Sequence, residues 1–437
     1  MTTEAEQPDV FDPFRQFFSL QRDVLVLSLA MFAFSLGFQM TTRFLPDYLV
    51  YLGATGFVVG LFATLGNVIG AVFPYYGGVI SDRVGSRYAL TAFGLLSTIG
   101  FGIWLAGAFV PPVDLGVFVL EPWIWVFVGL LFAQGWKSFG IGATYAIVKQ
   151  SVPPERLARG FASTETFRRT AFLLAPLIVA VLVADDLMPG FLFVLAIAVV
   201  FGLIGTLTQH FLYDASADSL GKEFEGIRRI VDDVRAMPDP LRPLLVADTF
   251  VRFANGMVYV FFILVITQVM GIGLTLSLPV VGTIELSPAA FFGVLLGTEM
   301  LVALLTMAPT AKLAEYTGLK TVVGLGFFVY AVFPVLLIFA PESVPVLVAL
   351  FAFSGLRFAG LPAHKALVVG PAKQDAGGRV TGSYYFLRNL IVIPSGALGG
   401  ILWEFASPEL SFAVASTIGM VGVAYFVLFG EEFDAYQ

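Results

Sequence analysis

Apolar runs of about 20 residues, the length that crosses a bilayer as a helix, recur along the whole chain between short polar connections. The pattern predicts spans near 24–50, 56–79, 88–109, 123–148, 158–184 and 189–212. A second series follows near 243–270, 288–312, 320–341, 344–369, 379–403 and 408–429. Between the two series lies the longest polar stretch, 213–242, with Asp214, Asp218, Lys222, Glu223, Arg228, Arg229, Asp232 and Arg235 ahead of Pro238-Asp239-Pro240. Mixed charge followed by a proline stop predicts a cytoplasmic helix and then a break. The expected organisation is an all-α integral membrane protein of twelve transmembrane helices in two pseudo-symmetric six-helix bundles. Its parts are an N-terminal segment 1–23, bundles 24–212 and 243–430, the linker 213–242 and a tail 431–437.

Basic residues then set the orientation. The connections near 50–56, 110–122, 185–188, 270–287, 342–343 and 404–407 contain no Lys or Arg. The loop cations, from Arg15 and Arg22 through Arg83 and Arg87 to Lys373 and Arg379, all fall on the other side. A bias this complete places those loops and both termini in the cytoplasm of a cell that carries the chain in its cytoplasmic membrane. An odd number of spans would put basic loops on both sides, so the count of twelve gains support. The acidic start and the long first apolar run argue against a cleaved signal peptide, and Phe11, Phe14, Phe17 and Phe18 suit an interfacial helix.

Composition agrees: of 437 residues, 58% are hydrophobic and only 13% charged, with a mean hydropathy of +0.89. Soluble domains sit near a quarter charged. Cysteine is absent, which excludes disulfides and thiolate metal sites, and only His210 and His364 are present. No metal and no cofactor is expected.

The two series repeat one another. Gly78-x-x-x-Asp82-Arg83-x-Gly85-x-Arg87 lies between the second and third spans. Glu315, Gly318 and Lys320 keep the spacing of Asp82, Gly85 and Arg87 at an offset of 233, the offset that also carries Gly60 onto Gly293. At an offset of 220, Gly135, Gly140, Arg159, Ser163 and Arg168 meet identical residues at Gly355, Gly360, Arg379, Ser383 and Arg388, and Lys137 meets Arg357. This is an internal duplication. Parallel six-span repeats with a site at their interface describe one large class of secondary transporter.

On these residues the chain resembles the major facilitator superfamily, whose signature loop follows the second span and returns degenerate after the eighth. The resemblance implies that family's fold and alternating access, with no enzymatic activity. In the signature, Gly78 would let two helices approach closely. Asp82 would accept hydrogen bonds from a helix N-terminus or Arg87, and Gly85 would permit the turn that Arg83 and Arg87 flank. Such a latch suits a carrier that rocks its halves. The fourth-span pattern is present in part as Lys137, Gly140 and Gly142. The glycine-rich fifth-span pattern of drug antiporters is missing from Ala175 to Ala180.

Ionisable residues within the spans are costly and mark function by default. Lys137, Arg168, Arg357 and Arg388 fall near mid-depth, Arg43 towards the outside and Arg252 towards the cytoplasm; these six are the candidate substrate pathway, with the four midplane cations equally placed to brace helices through backbone carbonyls. Asp248 with Arg252, Glu165 with Arg168 and Arg169, and Arg43 with Asp47 are spaced to pair along one helix. Glu299 has no basic residue within a turn. It is a candidate proton carrier and a candidate partner of Arg357 or Arg388 on another helix, two roles that do not exclude each other, and Glu165 and Asp248 are further proton-coupling candidates. No Gly-x-x-x-x-Gly-Lys-Ser/Thr loop is present, which argues against ATP-driven transport. The expectation is a monomeric secondary transporter whose partners are the lipid bilayer, a small-molecule substrate and protons, with no nucleic acid. Its substrate class stays open between a small organic anion and amphipathic compounds exported by proton antiport. A non-transporting sensor of the same fold is the further alternative.

Overall fold

The computed structural model describes residues 22–432 apart from 115, 117–118, 141–142, 145–146, 148–156, 215–236, 279–281 and 370–376. The interfacial segment 11–20, most of the linker and the last five residues lie outside the described residues. So do the side chains of Asp82, Glu165 and Glu315.

Among the described residues twelve helices follow in order, several of them broken by turns. In the first half, α1 is Arg22–Thr42 continued after a turn by Leu45–Tyr51, α2 is Gly56–Val84 and α3 is Ser86–Gly107. Next come α4 (Ile124–Ala133, then a π-helical turn Gly135–Phe139), α5 (Leu157–Leu182) and α6 (Leu187–Leu212). The second half opens with α7, Leu241–Val258 running through 3₁₀ and π turns to Met270, then α8 (Pro288–Thr317) and α9 (Leu319–Ile338). It ends with α10 (Val344–Ala359 and Leu361–Val369), α11 (Gly377–Val392 and Ser395–Phe405) and α12 (Pro408–Phe429). Among the described residues, ten helices are long and apolar enough to cross a membrane, and Ile124–Phe139 is a shorter apolar one. The remaining segment, α5, has the length but opens with Arg159, Glu165, Arg168 and Arg169. The protein is an all-α multi-pass membrane protein.

Local chemistry sets the ends. Thr55 caps α2, Ser287 caps α8 and Ser407 caps α12, each side-chain oxygen accepting a backbone N–H three residues on. Gly85 and Gly318 close α2 and α8 with φ of +88° and +87°, a backbone that favours glycine. The motif and its copy therefore turn alike. Two connections add small antiparallel hairpins that periodicity had not indicated. β1 (Val113–Asp114) pairs with β2 (Val119–Leu120), and β3 (Leu274–Leu278) pairs with β4 (Gly282–Leu286), in the register Val113↔Leu120 and Leu274↔Leu286.

Within each half the same helices pack together: α1 on α5 and α6, α3 on α4 and α6; then α7 on α11 and α12, α9 on α10 and α12. This two-lobed arrangement is the duplication made visible. The close contacts between lobes gather towards the end that bears the Lys- and Arg-free connections. There α2 packs on α11, where Gly60 faces Gly396 and Gly400, and α5 packs on α8, where Gly293 faces Pro176 and Ala180. Gly60 and Gly293 thus do the same work at symmetric crossings. A buried aromatic chain, Phe44–Phe292–Phe351–Phe333–Phe262, runs from α1 through the second lobe with centroid spacings of 5.2 to 6.0 Å. Edge-to-face pairs add about 0.5–1.5 kcal/mol each beyond burial. Ser287 stitches the same end, its N–H donating to Ala184 and its hydroxyl to Val183, both at 2.6 Å.

One sequence expectation about the signature is corrected. The close approach belongs to Gly77, where an added Cβ would lie 2.0 Å from the Phe139 carbonyl oxygen; at Gly78 nothing described comes within 4 Å. Adjacent helix positions point about 100° apart, so only one of the two can face α4.

Candidate functional site

The intramembrane charges assemble into two networks joined through Tyr330. The first centres on Glu299 of α8, which is 2% exposed. Its Oε1 accepts from Arg357 Nη2 of α10 at 2.6 Å and from the Ser354 hydroxyl. Its Oε2 lies 3.4 Å from Arg43 Nη2 of α1, in the other lobe. The lone carboxyl therefore finds cations on two other helices, Arg357 among them, while Arg388 goes elsewhere. Arg43 sits over the Tyr259 ring at 4.0 Å, and Arg357 lies 4.8 Å from the Phe358 ring and 5.1 Å from that of Tyr330. Desolvated guanidinium–ring contacts of this kind each stabilise by about 2 kcal/mol.

The predicted Arg43–Asp47 pair does not form. The helix breaks into a turn at Arg43 and Phe44, so an i,i+4 spacing there no longer brings side chains together. Asp47 instead accepts from Thr267 and Gln268 of α7, each at 3.0 Å. This frees Arg43 to reach across to Glu299.

The second network centres on Asp248 of α7, fully buried. The expected pair with Arg252 is present at 3.2 Å, but it is only part of the arrangement. The other oxygen, Oδ2, accepts from Arg388 of α11 at 2.9 Å and from the Tyr384 hydroxyl at 3.1 Å. His364 Nε2 stands 3.3 Å from that same oxygen, off the line of a hydrogen bond. Arg252 also donates to the Tyr330 hydroxyl at 3.1 Å, which ties this network to Arg357.

In the first lobe the repeat-matched cations have different surroundings. Lys137 lies in the π-helical turn of α4, exposed, 5.8 Å from the Phe38 ring and near Arg168, with no ion pair to a described residue. Arg168 lies 5.5 Å from the Phe172 ring. The offset that aligns Gly60 with Gly293 puts Gly66 where the second lobe has Glu299. The duplication that repeats the cations thus has no acid in the first lobe at the place of Glu299. Lys137 and Arg357 each lie three residues before a glycine, Gly140 and Gly360, at which α4 and α10 break.

Between the lobes a cavity of ≈ 140 Å³ is walled by Gln39, Arg43, Arg168, Tyr259, Glu299 and Phe358, among others. Of the latch residues, Arg83 is exposed and Arg87 donates through Nε to the His210 carbonyl at the end of α6, 2.8 Å away. In the copy, the N–H groups of Leu319 and Lys320 donate to Glu432, at 2.8 and 2.9 Å, so an acid beyond α12 caps α9. Sequence reasoning passed over Ser354, His364 and Tyr330. Ser354 stands three before Arg357 on one helical face, and that spacing was the available signal, whereas His364 lies beyond the break at Gly360.

A search of curated protein sequences returns no match. Solved structures do match in fold. A nucleoside transporter, NupG, superposes with a TM-score of 0.73 at 12% identity, covering 93% of this chain and 100% of its own. A POT family transporter in complex with 5-aminolevulinic acid gives 0.73 at 13% identity, covering 95% and 99%. A peptide transporter POT in complex with alafosfalin gives 0.70 at 17%, covering 96% and 97%. The sequence profile of the Major Facilitator Superfamily matches residues 27–296, more than half of the chain. With the two-lobed twelve-helix fold, the duplicated glycine turns and this match together, the chain belongs to the Major Facilitator Superfamily.

Proposed function

We propose that this carrier moves a small organic anion across the cytoplasmic membrane by alternating access, coupled to protons through Glu299. The observation that carries the reading is Glu299 itself, one buried carboxylate on the cavity wall shared by Arg357 of its own lobe and Arg43 of the other. A proton on Glu299 releases both guanidiniums, and an anion entering the cavity offers them a replacement. Either event weakens the Arg43 contact that ties the lobes together. Lys137 adds a cation without an acid partner among the described residues. An organic carboxylate or phosphate ester satisfies these groups, and an amphipathic cation does not. Membrane enzymes are the wrong class for a member of this superfamily.

With the basic loops and both termini in the cytoplasm, the packed end of the lobes faces outward. The latch residues Gly78, Asp82, Arg83, Gly85 and Arg87, and their copy Glu315, Gly318 and Lys320, then stand at the cytoplasmic gate.

The test begins with a thermal-shift screen of purified protein against dicarboxylates, phosphate esters and amphipathic cations. Hits are then assayed for uptake in proteoliposomes holding a pH-sensitive dye. Expected is stabilisation by anions and substrate-dependent proton movement that Glu299→Gln abolishes. A cationic compound transported with unchanged affinity by Lys137→Gln/Arg357→Gln sinks the anion reading. Proton movement in Glu299→Gln identical to wild type removes Glu299 as carrier of the proton.

A further inference from the structure

Asp248 holds more claimants than one carboxylate oxygen serves. Oδ2 accepts from Arg388 and Tyr384, and His364 Nε2 waits 3.3 Å away without a hydrogen bond, its residue buried. An unmade hydrogen bond on a buried polar atom costs about 1–3 kcal/mol. Such an atom beside a carboxylate calls for an explanation. Arg252 occupies Oδ1, so Asp248 already has two guanidiniums against its single charge. A proton on His364 would bring a third positive charge to the cluster as it stands.

Arg388 is the removable partner. Its Nε and Nη2 both donate to Asn389, and only Nη1 reaches Asp248. It rides on the inner piece of α11, Gly377–Val392, which a turn separates from the outer piece, Ser395–Phe405, that packs on α2. The outer piece also packs on α7, where Gly399 meets the Met257 backbone, while Asp248 and His364 are on α7 and α10, so movement of the inner piece about the turn draws Arg388 from Asp248 and leaves His364 beside it.

We propose that Arg388 and protonated His364 compete for Asp248 Oδ2, so that each pivot of α11 exchanges a guanidinium for a proton bound on His364. The proton comes from solvent water, and the charge around Asp248 is unchanged by the exchange. Besides Asp248, the groups facing His364 are Arg388 and Tyr384 of α11 and the ring of Phe327 on α9; Arg252 and Tyr330 lie one contact further. Histidine is the side chain whose ordinary titration range suits such a switch. The inference rests on the alternating-access reading, and it adds a second proton site to that at Glu299.

The chain has only two histidines, so ring NMR of ¹⁵N-histidine protein in detergent, with His210→Gln for assignment, reads His364 directly. In Arg388→Gln the imidazolium-to-imidazole ratio rises by about tenfold, the effect of one opposite charge made available. An unchanged ratio overturns the proposal. A thermal melt against pH serves as the second readout. If His364 binds its proton more tightly in folded Arg388→Gln than in the unfolded chain, the stabilisation is full below the unfolded titration range and is lost as pH rises through the folded one. Arg388→Gln should therefore recover stability on acidification and Arg388→Gln/His364→Gln should not; equal recovery in both overturns the exchange. These measurements involve no substrate, so failed uptake would count against the transport reading and leave this result standing.

Discussion

Gly60 of α2 and Gly400 of α11 meet backbone to backbone, and a Cβ built on Gly60 would lie 2.7 Å from the Gly400 Cα and 2.5 Å from the Gly396 carbonyl oxygen. Both neighbours are main chain and cannot step aside as a flexible side chain would. Gly60→Val therefore forces α2 and α11 apart at the packed end. Overpacking of this kind costs about 1–3 kcal/mol, a shift of roughly tenfold or more in any equilibrium that opens this seam. The cysteine-free chain makes the measurement clean: a single reporter, Val183→Cys, sits fully buried beside the symmetric α5–α8 crossing. A membrane-impermeant maleimide should label it about tenfold faster in the Gly60→Val background. An unchanged rate would show that this seam does not open with the other.

Glu299 and Arg357 form a buried pair that is destabilising to break from one side. Removing one partner of such a pair costs about 3–5 kcal/mol because the other charge is left uncompensated. Glu299→Gln should lower thermal stability by that order and Arg357→Gln similarly. The double substitution should recover part of the loss, since only Arg43, the less buried of the two cations, then lacks its counterion. Arg43→Gln, 3.4 Å from Glu299 and across the lobes, should cost less. Denaturation in detergent gives all four values, and additive single losses would mean that the two residues act independently.

Much of the fold was legible because the bilayer imposes one period and one length. Twelve apolar runs, the complete loop-charge bias and the offset from Gly60 to Gly293 needed no three-dimensional information. The pairing of charges was less legible. Asp248 with Arg252 is local and spacing found it, whereas Glu299 with Arg357 and Arg43 depends on which helix faces which. Arg43 and Asp47 show how a local rule fails, because the break at Phe44 removes the helix that the rule assumes. His364 was weighed only as a metal ligand, and its place beside Asp248 follows from the packing of α10 on α7 and α11.

Gly318 tests the duplicated turn. Its φ of +87° disfavours any side chain, and a Cβ there would also meet the Glu432 carboxylate at 2.4 Å. Gly85 has nearly the same φ, +88°. Gly85→Ala should cost about 1–2 kcal/mol from backbone strain. Gly318→Ala should cost more, because it also dislodges the cap on α9. In a Glu432→Ala background the two alanine substitutions should become equally costly. Thermal melts of the four proteins decide it, and equal costs in the unaltered background would mean that Glu432 does not hold the turn.

Lys137 and Arg357 occupy matched positions in the duplication, yet their substitution should have opposite signatures. Arg357 is buried against Glu299, so its removal unbalances a desolvated pair and shows first in stability. Lys137 is exposed and has no ion pair with a described residue, so Lys137→Gln should leave thermal stability within about 0.5 kcal/mol of wild type. Its effect should fall on the bound anion instead. A charge-assisted hydrogen bond contributes about 1.5–3 kcal/mol, so loss of the ammonium should weaken an anionic hit by roughly tenfold or more. Lys137→Arg keeps the charge and should retain most of the affinity. Isothermal titration of the three proteins against the best anion from the thermal screen separates the cases. Equal affinity in Lys137→Gln and wild type would place the anion outside the reach of α4 and leave Arg43 and Arg357 to bind it.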